Sequence, residues 1–414
     1  MDRKVKVALA GISGYGDCYL GALLPSERAR DFQLVGVVDP MPQRCRRLPE
    51  LAAREIRLHE TMDGLFCDTA VDLMLIVTPT HLHAAQTCLA LSHGANVLCE
   101  KPVAGTVTDA MRMLELQRTV KGFAAIGYQW SFSEAIQSLK RDIMSGALGR
   151  PIRMKAIALF PRPVSYFKRN DWAGRQRTVS GEPVFDSPVN NATAHYLHNL
   201  FYLLGRTMDS SATPGFVEAE LYRANEIENY DTAAIRCRTD CGVELLFYTS
   251  HAIALRHGPK TTCEFENAVV EYDAEQGEFV ARFKNGRIIS YGQPNLDRHE
   301  KIWQAIDSVR TGRPLPCGIK AAMSHALCVA AAQESSGITA FPEHLRRMIT
   351  VDGDDALMAV EGLDDALIHC YERNCLPSEK AELFWARRGR VVQLDVGVDG
   401  ARRRAATGAV ALHA

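Results

Sequence analysis

A strand pattern that breaks on a cluster of glycines and resumes as a helix limits this chain more than any other stretch. Lys4 to Ala10 (KVKVALA) alternates into an apolar run, meets Gly11-Ile12-Ser13-Gly14-Tyr15-Gly16, and continues from Leu20 to Leu24 with helix-compatible spacing. Strand, glycine turn and helix in that order make a phosphate site, because the helix N-terminus presents its unpaired N–H groups to an anion. Gly11 permits the tight turn, and Gly16 permits close packing of helix on strand. Ser13 stands where the usual G-x-G-x-x-G has its central glycine, and Gly14 is an extra one. The loop Gly11, Ile12, Ser13, Gly14, Tyr15 and Gly16 is the predicted cradle for a dinucleotide pyrophosphate.

The next strands place chemistry at their ends. Leu34 to Val38 closes on Asp39-Pro40. An acid there, about twenty residues past the glycine turn, grips a ribose 2′-hydroxyl and repels a 2′-phosphate, so NAD is favoured over NADP. Arg44, Arg46 and Arg47 leave room for NADP. Val71 to Val77 reads as a strand buried on both faces, and ends in Thr78-Pro79-Thr80-His81-Leu82-His83. Thr80 is placed to cap the helix running to His93, and Thr78, Pro79, Thr80 and His83 are expected beside the cofactor. His81 and His83, two apart, have poor metal spacing, and no metal site is predicted. Val97-Leu98-Cys99-Glu100-Lys101-Pro102 then ends a further strand with an acid, a lysine and a proline. Glu100 and Lys101 thus stand at the C-terminal sheet edge, where open α/β sheets keep their ligand crevice. A lysine held there can donate to a substrate oxygen. Phe123 to Tyr128 makes the last strand of a domain spanning 1–128, with Gln129 at its rim toward the cofactor.

With 414 residues the chain exceeds one ordinary core. After a helix over Ser133–Ser145 and a strand from Ile152, seven strand patterns follow in succession: Phe216–Arg223, Thr232–Arg238, Val243–Thr249, Thr261–Phe265, Val269–Tyr272, Phe279–Phe283 and Arg287–Tyr291. Helices are expected over Asp297–Arg310 and Ile319–Gln333. The fold class is therefore α/β: a doubly wound parallel sheet, then an α+β domain over 129–374 with a large, mostly antiparallel open sheet. Beyond Cys375 the composition turns to alanine, arginine and glycine, with Arg402-Arg403-Arg404 near the end, and 375–414 reads as a tail. A formal net charge of −1 gives no support for nucleic acid or an anionic membrane as partner. Twelve cysteines without a Cys-x-x-Cys pair fit a reducing, cytoplasmic compartment. The N-terminus lacks a signal-peptide pattern, and no apolar run is long enough to span a bilayer.

With the glycine turn, Asp39, the Thr-Pro-Thr-His-Leu-His tip and Glu100-Lys101-Pro102 in register, the chain resembles the Gfo/Idh/MocA oxidoreductases over roughly residues 4 to 370. The resemblance implies a Rossmann domain joined to an open-sheet domain, homodimers or homotetramers formed through that sheet, and nicotinamide-dependent redox chemistry on sugars, polyols or their derivatives. It also implies a catalytic histidine at His195, within Asn191-Ala-Thr193-Ala-His195-Tyr-Leu-His198. Where the family pattern is Asp-x-Gly-x-His-x-x-Asp, this chain has Asn191, Thr193 and His198, and Asp186 could supply a carboxylate if its loop bends back. Asn191, four residues before His195, is expected one helical turn away on the same face.

Hydride transfer from a secondary alcohol needs a base for the O–H proton and a cation for the developing alkoxide charge. His195 and Lys101 have those chemistries, and Asn191 could orient either the imidazole or the substrate. Trp130, Trp172, Asp186, Asn191, His195 and His198 are the expected substrate contacts, with Lys101. The 161–178 segment carries Arg162, Lys168, Arg169, Arg175 and Arg177 against Asp171. That excess fits an anionic substrate, and fits a solvated loop equally. The reading is an NAD(P)-dependent dehydrogenase or reductase. Its alternatives are a redox-assisted lyase or glycosidase with tightly held NAD, and a non-catalytic dinucleotide-binding sensor.

Overall fold

The computed structural model describes residues 3–351, 353 and 355–394. The chain forms two units, one of residues 1–133 with 295–323 and one of 134–294 with 324–414.

In the first unit, strands and helices alternate: β1 (Val5–Ala10), α1 (Gly16–Leu23), β2 (Phe32–Val38), α2 (Leu48–Ala53), β3 (Arg57–His59), α3 (Met62–Asp68), β4 (Leu73–Ile76), α4 (His83–Ser92), β5 (Asn96–Cys99), α5 (Val107–Thr119) and β6 (Ala124–Ile126). The strands form one parallel sheet in the order β3-β2-β1-β4-β5-β6. Val7, Leu9, Leu73, Leu75, Val97 and Leu98 are fully buried, as expected of strands covered on both faces. The order reverses between β1 and β4, so the crevice of this doubly wound sheet opens beyond their carboxyl ends. Thr106 caps α5 through the Asp109 amide. Thr80 caps nothing: residues 80–82 make a 3₁₀ turn and Leu82 precedes α4 without a side-chain bond.

The second unit opens with α6 (Glu134–Met144), β7 (Pro151–Leu159), α7 (Val164–Phe167) and α8 (Ala194–Leu203). Then come β8 (Pro214–Arg223), β9 (Thr232–Thr239), β10 (Glu244–Ser250), β11 (His257–Phe265), β12 (Ala268–Asp273), β13 (Phe279–Phe283) and β14 (Ile288–Gly292). The chain next returns to the first unit for α9 (Glu300–Thr311) and the start of α10 (Ile319–Ser335). It finishes in the second with the rest of α10, β15 (Ile338–Ala340), β16 (Arg346–Thr350), β17 (Ala356–Val360), α11 (Leu363–Arg373) and β18 (Val392–Gln393). The large sheet runs β14-β13-β12-β11-β7-β10-β9-β8-β15, with β18 also on β8. Its pairings are antiparallel except β7 with β10 and β8 with β15. Among the described residues no helix is long and apolar enough to cross a membrane.

Two boundaries differ from the sequence reading. Helix α9 belongs to the first unit, not to a continuous 129–374 domain: Ile302, Ala305 and Ile306 are buried, and Lys301 reaches Glu100. Apolar periodicity marks a helix without saying which sheet it covers. Residues 375–394, read as the start of a tail, are built into the second unit, whereas 395–414 lie outside the described residues. Trp385 is 7% exposed in a cluster with Tyr222, Phe341, Leu367 and Leu376, β18 pairs with β8, and Arg388 meets Glu218 at 2.7 Å. Arg388 thus serves a carboxylate of β8, and one tryptophan supplies the anchor. Trp385→Ala should lower unfolding free energy by about 3–5 kcal/mol in urea titration; a loss under about 0.5 kcal/mol would make this segment an appendage.

Candidate active site

The glycine turn is shaped by approach distances. A Cβ on Gly11 would lie 2.6 Å from the Val77 carbonyl oxygen, at φ +81°, and one on Gly16 would lie 2.1 Å from the Gly11 oxygen. Neither position admits a side chain. Gly14, at φ +57°, has nothing within 4 Å of its would-be Cβ, so the tip of the turn presents bare backbone where Ser13 offers a hydroxyl. Ser13 is turned to another use: its Oγ lies 3.4 Å from Asp39 Oδ2, which also accepts from the Ile12 amide at 3.1 Å. Asp39 Oδ1 accepts from the Met41 amide at 2.8 Å. The carboxylate at the end of β2 is thus fastened to the glycine turn, with acceptor capacity left for a ribose hydroxyl. Tyr15, at the entrance to α1, is 42% exposed. Arg47 is engaged by Asp17 and Glu50, and Arg44 and Arg46 are exposed. The turn, its open tip and the fixed acid fit a dinucleotide.

Beyond β4 and β5 the two loops are stapled together. Thr78 Oγ1 donates to Gln86 at 2.5 Å, and Pro79 and Thr80 are half-buried in the turn that follows. His83, expected at the cofactor, is instead 1% exposed: its Nδ1 lies 2.7 Å from the Pro102 oxygen and its Nε2 lies 2.8 Å from the Thr78 oxygen. Both neighbours are acceptors, so only a ring carrying two N–H groups satisfies both, while burial lowers its pKa. It holds the loop after β4 against the loop that carries Lys101.

Glu100 faces inward. Its carboxylate accepts from Tyr19 Oη at 2.6 Å, pairs with Lys301 of α9, and takes the Lys101 amide at 3.1 Å. The Lys301 side chain is fully enclosed and also lies 3.3 Å from the Gly127 oxygen. Burial would push the Glu100 pKa up, and the adjacent ammonium more than offsets this, holding it below the usual carboxylate range. Lys101 follows, half-buried, before a cis bond to Pro102. Sequence reasoning missed Lys301, because nothing local to a helix lysine reveals a partner 201 positions away. Gln129 and Trp130 both turn to Asn295: Trp130 Nε1 donates to it at 2.7 Å and Gln129 Nε2 at 3.3 Å. Trp130, expected at the substrate, is 2% exposed.

In the second unit His195 lies in the first turn of α8, half-buried. Asn191 is not on that helix; α8 begins at Ala194, and Asn191 sits in the preceding turn with its amide on the Ser187 oxygen at 2.9 Å. Thr193, at the start of α8, is fixed by Pro188 O at 2.8 Å and Thr249 at 3.2 Å. The loop does bend back: Asn191 Nδ2 donates to Asp186 Oδ1 at 2.8 Å, while Asp186 Oδ2 accepts from the Gly174 amide at 2.7 Å. One N–H of the Asn191 amide is thereby given to a carboxylate. His198, expected at the substrate, is 1% exposed against Tyr202, with its pKa driven well down by burial and by His325 and Lys140. Trp172 is half-buried beneath Arg169, whose guanidinium carbon lies 5.0 Å from its ring. Among the described residues no group of His, Cys, Asp and Glu could hold a metal ion.

Residues 5–128 match the model of the oxidoreductase family with an NAD-binding Rossmann fold named for Gfo, Idh and MocA. The likeness to that family is carried by the first unit. An inositol 2-dehydrogenase of Acidothermus cellulolyticus is 28% identical over 152 residues, 36% of this chain and 44% of the relative. A 2,7-anhydro-N-acetylneuraminate hydratase of Mediterraneibacter gnavus is 24% identical over 200 residues, 48% of each chain. The chain thus spans less than half the length of these relatives. Among solved structures, the WlbA dehydrogenase of Bordetella pertussis, in complex with NADH and UDP-GlcNAcA, superposes with a TM-score of 0.65 at 19% identity. The match covers 80% of this chain and 96% of that one, a likeness of fold.

Lys301 completes the enclosed ion pair at the end of β5. Lys301→Met should strand a buried carboxylate and cost about 3–5 kcal/mol, of which Glu100→Gln added to it should recover a large part in urea titrations. Additive losses would mean that the two groups are not coupled.

Proposed function

We propose that this protein is an NAD-dependent oxidoreductase acting on a secondary alcohol or ketone of a sugar, polyol or sugar derivative. The observation that carries the reading is Lys101, held at the end of β5 by its own amide on Glu100, in the same unit as the glycine turn and the fixed Asp39. NAD, when bound, supplies the hydride acceptor, and NADH the donor. Gly11 to Gly16 would hold its pyrophosphate, with Asp39 on the ribose. Lys101 stabilises alkoxide charge through N–H donation, and His195 takes the hydroxyl proton or returns it. Asn191, anchored by Asp186, presents an acceptor that orients a donor N–H or O–H. A cytosolic homo-oligomer belongs to the same reading.

The hydratase among the relatives favours one second reading, in which NAD stays bound and transient oxidation assists elimination. Cofactor that co-purifies and never exchanges with added NAD during turnover would select it. The first test is a screen of polyols, sugars and sugar acids for NADH absorbance. Lys101→Ala should abolish turnover with NAD affinity nearly intact, and His195→Ala should flatten the pH profile of turnover near neutrality. Equal loss of NAD affinity in the first, or an unchanged profile in the second, would remove those roles. Asp39→Ala should narrow the NAD-over-NADP preference about tenfold or more, roughly 1.4 kcal/mol; an unchanged ratio would take Asp39 off the ribose.

A further inference from the structure

Of the five cations in the 161–178 segment, two converge. Arg162 and Arg169 both stack on Tyr166, their guanidinium carbons 4.8 Å and 3.8 Å from its ring centre. The others go elsewhere: Arg177 donates to the Gly181 oxygen at 2.9 Å, and Lys168 and Arg175 are exposed on a separate cavity wall. Arg169 is tied down, donating to the Tyr166 oxygen at 2.6 Å and lying 3.5 Å from Asp186. Asp186 in turn holds Asn191, in the turn that leads into His195. Arg162 has no such counter-charge. Among the described residues no carboxylate lies within 4 Å of it, and its buried Nε–H donates to nothing. The pair's field is visible at His251, beside Tyr166, whose pKa is pushed down to about 3 by burial first and then by the two arginines.

Two half-buried guanidiniums on one ring repel each other, and a single carboxylate offsets one of them. The arrangement is completed by one further negative charge. A planar fork of N–H donors matches the two oxygens of a carboxylate, whereas a phosphate dianion would overcompensate a single unmatched cation. We infer that Arg162, with Arg169 behind it, is the subsite for a substrate carboxylate, so that the substrate class is a sugar acid rather than a neutral sugar or polyol. Calling that anion a substrate rests on the oxidoreductase reading; the anion site itself does not.

The test is calorimetric titration of the full-length protein saturated with NADH, so that no hydride leaves the ligand. D-glucuronate, D-glucose and glucose 6-phosphate are the probes. D-glucuronate should bind at least tenfold more tightly than D-glucose. Arg162→Gln should bring that ratio within about threefold with NADH affinity unchanged, and Arg162→Lys, which keeps the charge without the fork, should fall between. Equal binding of glucose and glucuronate, a ratio untouched by Arg162→Gln, tighter binding of glucose 6-phosphate, or no binding of any probe would overturn the inference. Failure of the oxidoreductase reading looks different: glucuronate still binds, and no sugar acid reduces NAD.

Discussion

The Glu100–Lys301 pair is the interaction on which the first unit turns. Neither charge could be enclosed alone, since an unpaired ammonium or carboxylate in a dry site loses several kcal/mol of hydration. Together, with Tyr19 donating to the same carboxylate, they are stable, and they link two stretches of chain far apart in sequence. The pair brings α9 back onto a sheet whose strands had ended at Ile126, and it holds the Glu100 carboxylate inside the unit. Gly127 is a glycine for the same reason: a Cβ there would lie 3.0 Å from Glu100 Oε1.

What the sequence made legible was mostly local. The strand tips at Ala10, Val38 and Cys99 coincide with the ends of apolar runs, and all seven later strands lie within a few residues of their predicted spans, because alternation and turn glycines are carried by neighbours in the chain. What stayed hidden depends on distant partners. His83 and His198 carry polar side chains that composition assigns to a surface or a site, yet each is enclosed, the first between two loop carbonyls and the second among core aromatics. Asn191 has helical spacing to His195 and lies outside the helix, because the turn over 187–193 is closed by Ser187 and Pro188 instead. Residues 375–394 read as the start of a tail, and the partners that fasten Arg388 and Arg390, Glu218 and Glu334, lie on elements more than fifty residues upstream.

The exchange of aspartate for asparagine at 191 acquires a physical meaning once Asp186 is seen beside it. The negative charge has not been deleted from the neighbourhood but withdrawn behind an amide. Interposing that amide moves a carboxylate outward by about 3 Å, one hydrogen-bond length. At an effective dielectric near 20, moving a unit charge from about 4 Å to about 7 Å lowers its interaction from roughly 4 to roughly 2.4 kcal/mol. The same Asp186 stands 3.5 Å from Arg169, so its charge is shared between the arginine pair and the amide. A substrate carboxylate arriving at Arg162 would relieve the arginine side of that sharing and leave more of the Asp186 charge to the Asn191 side.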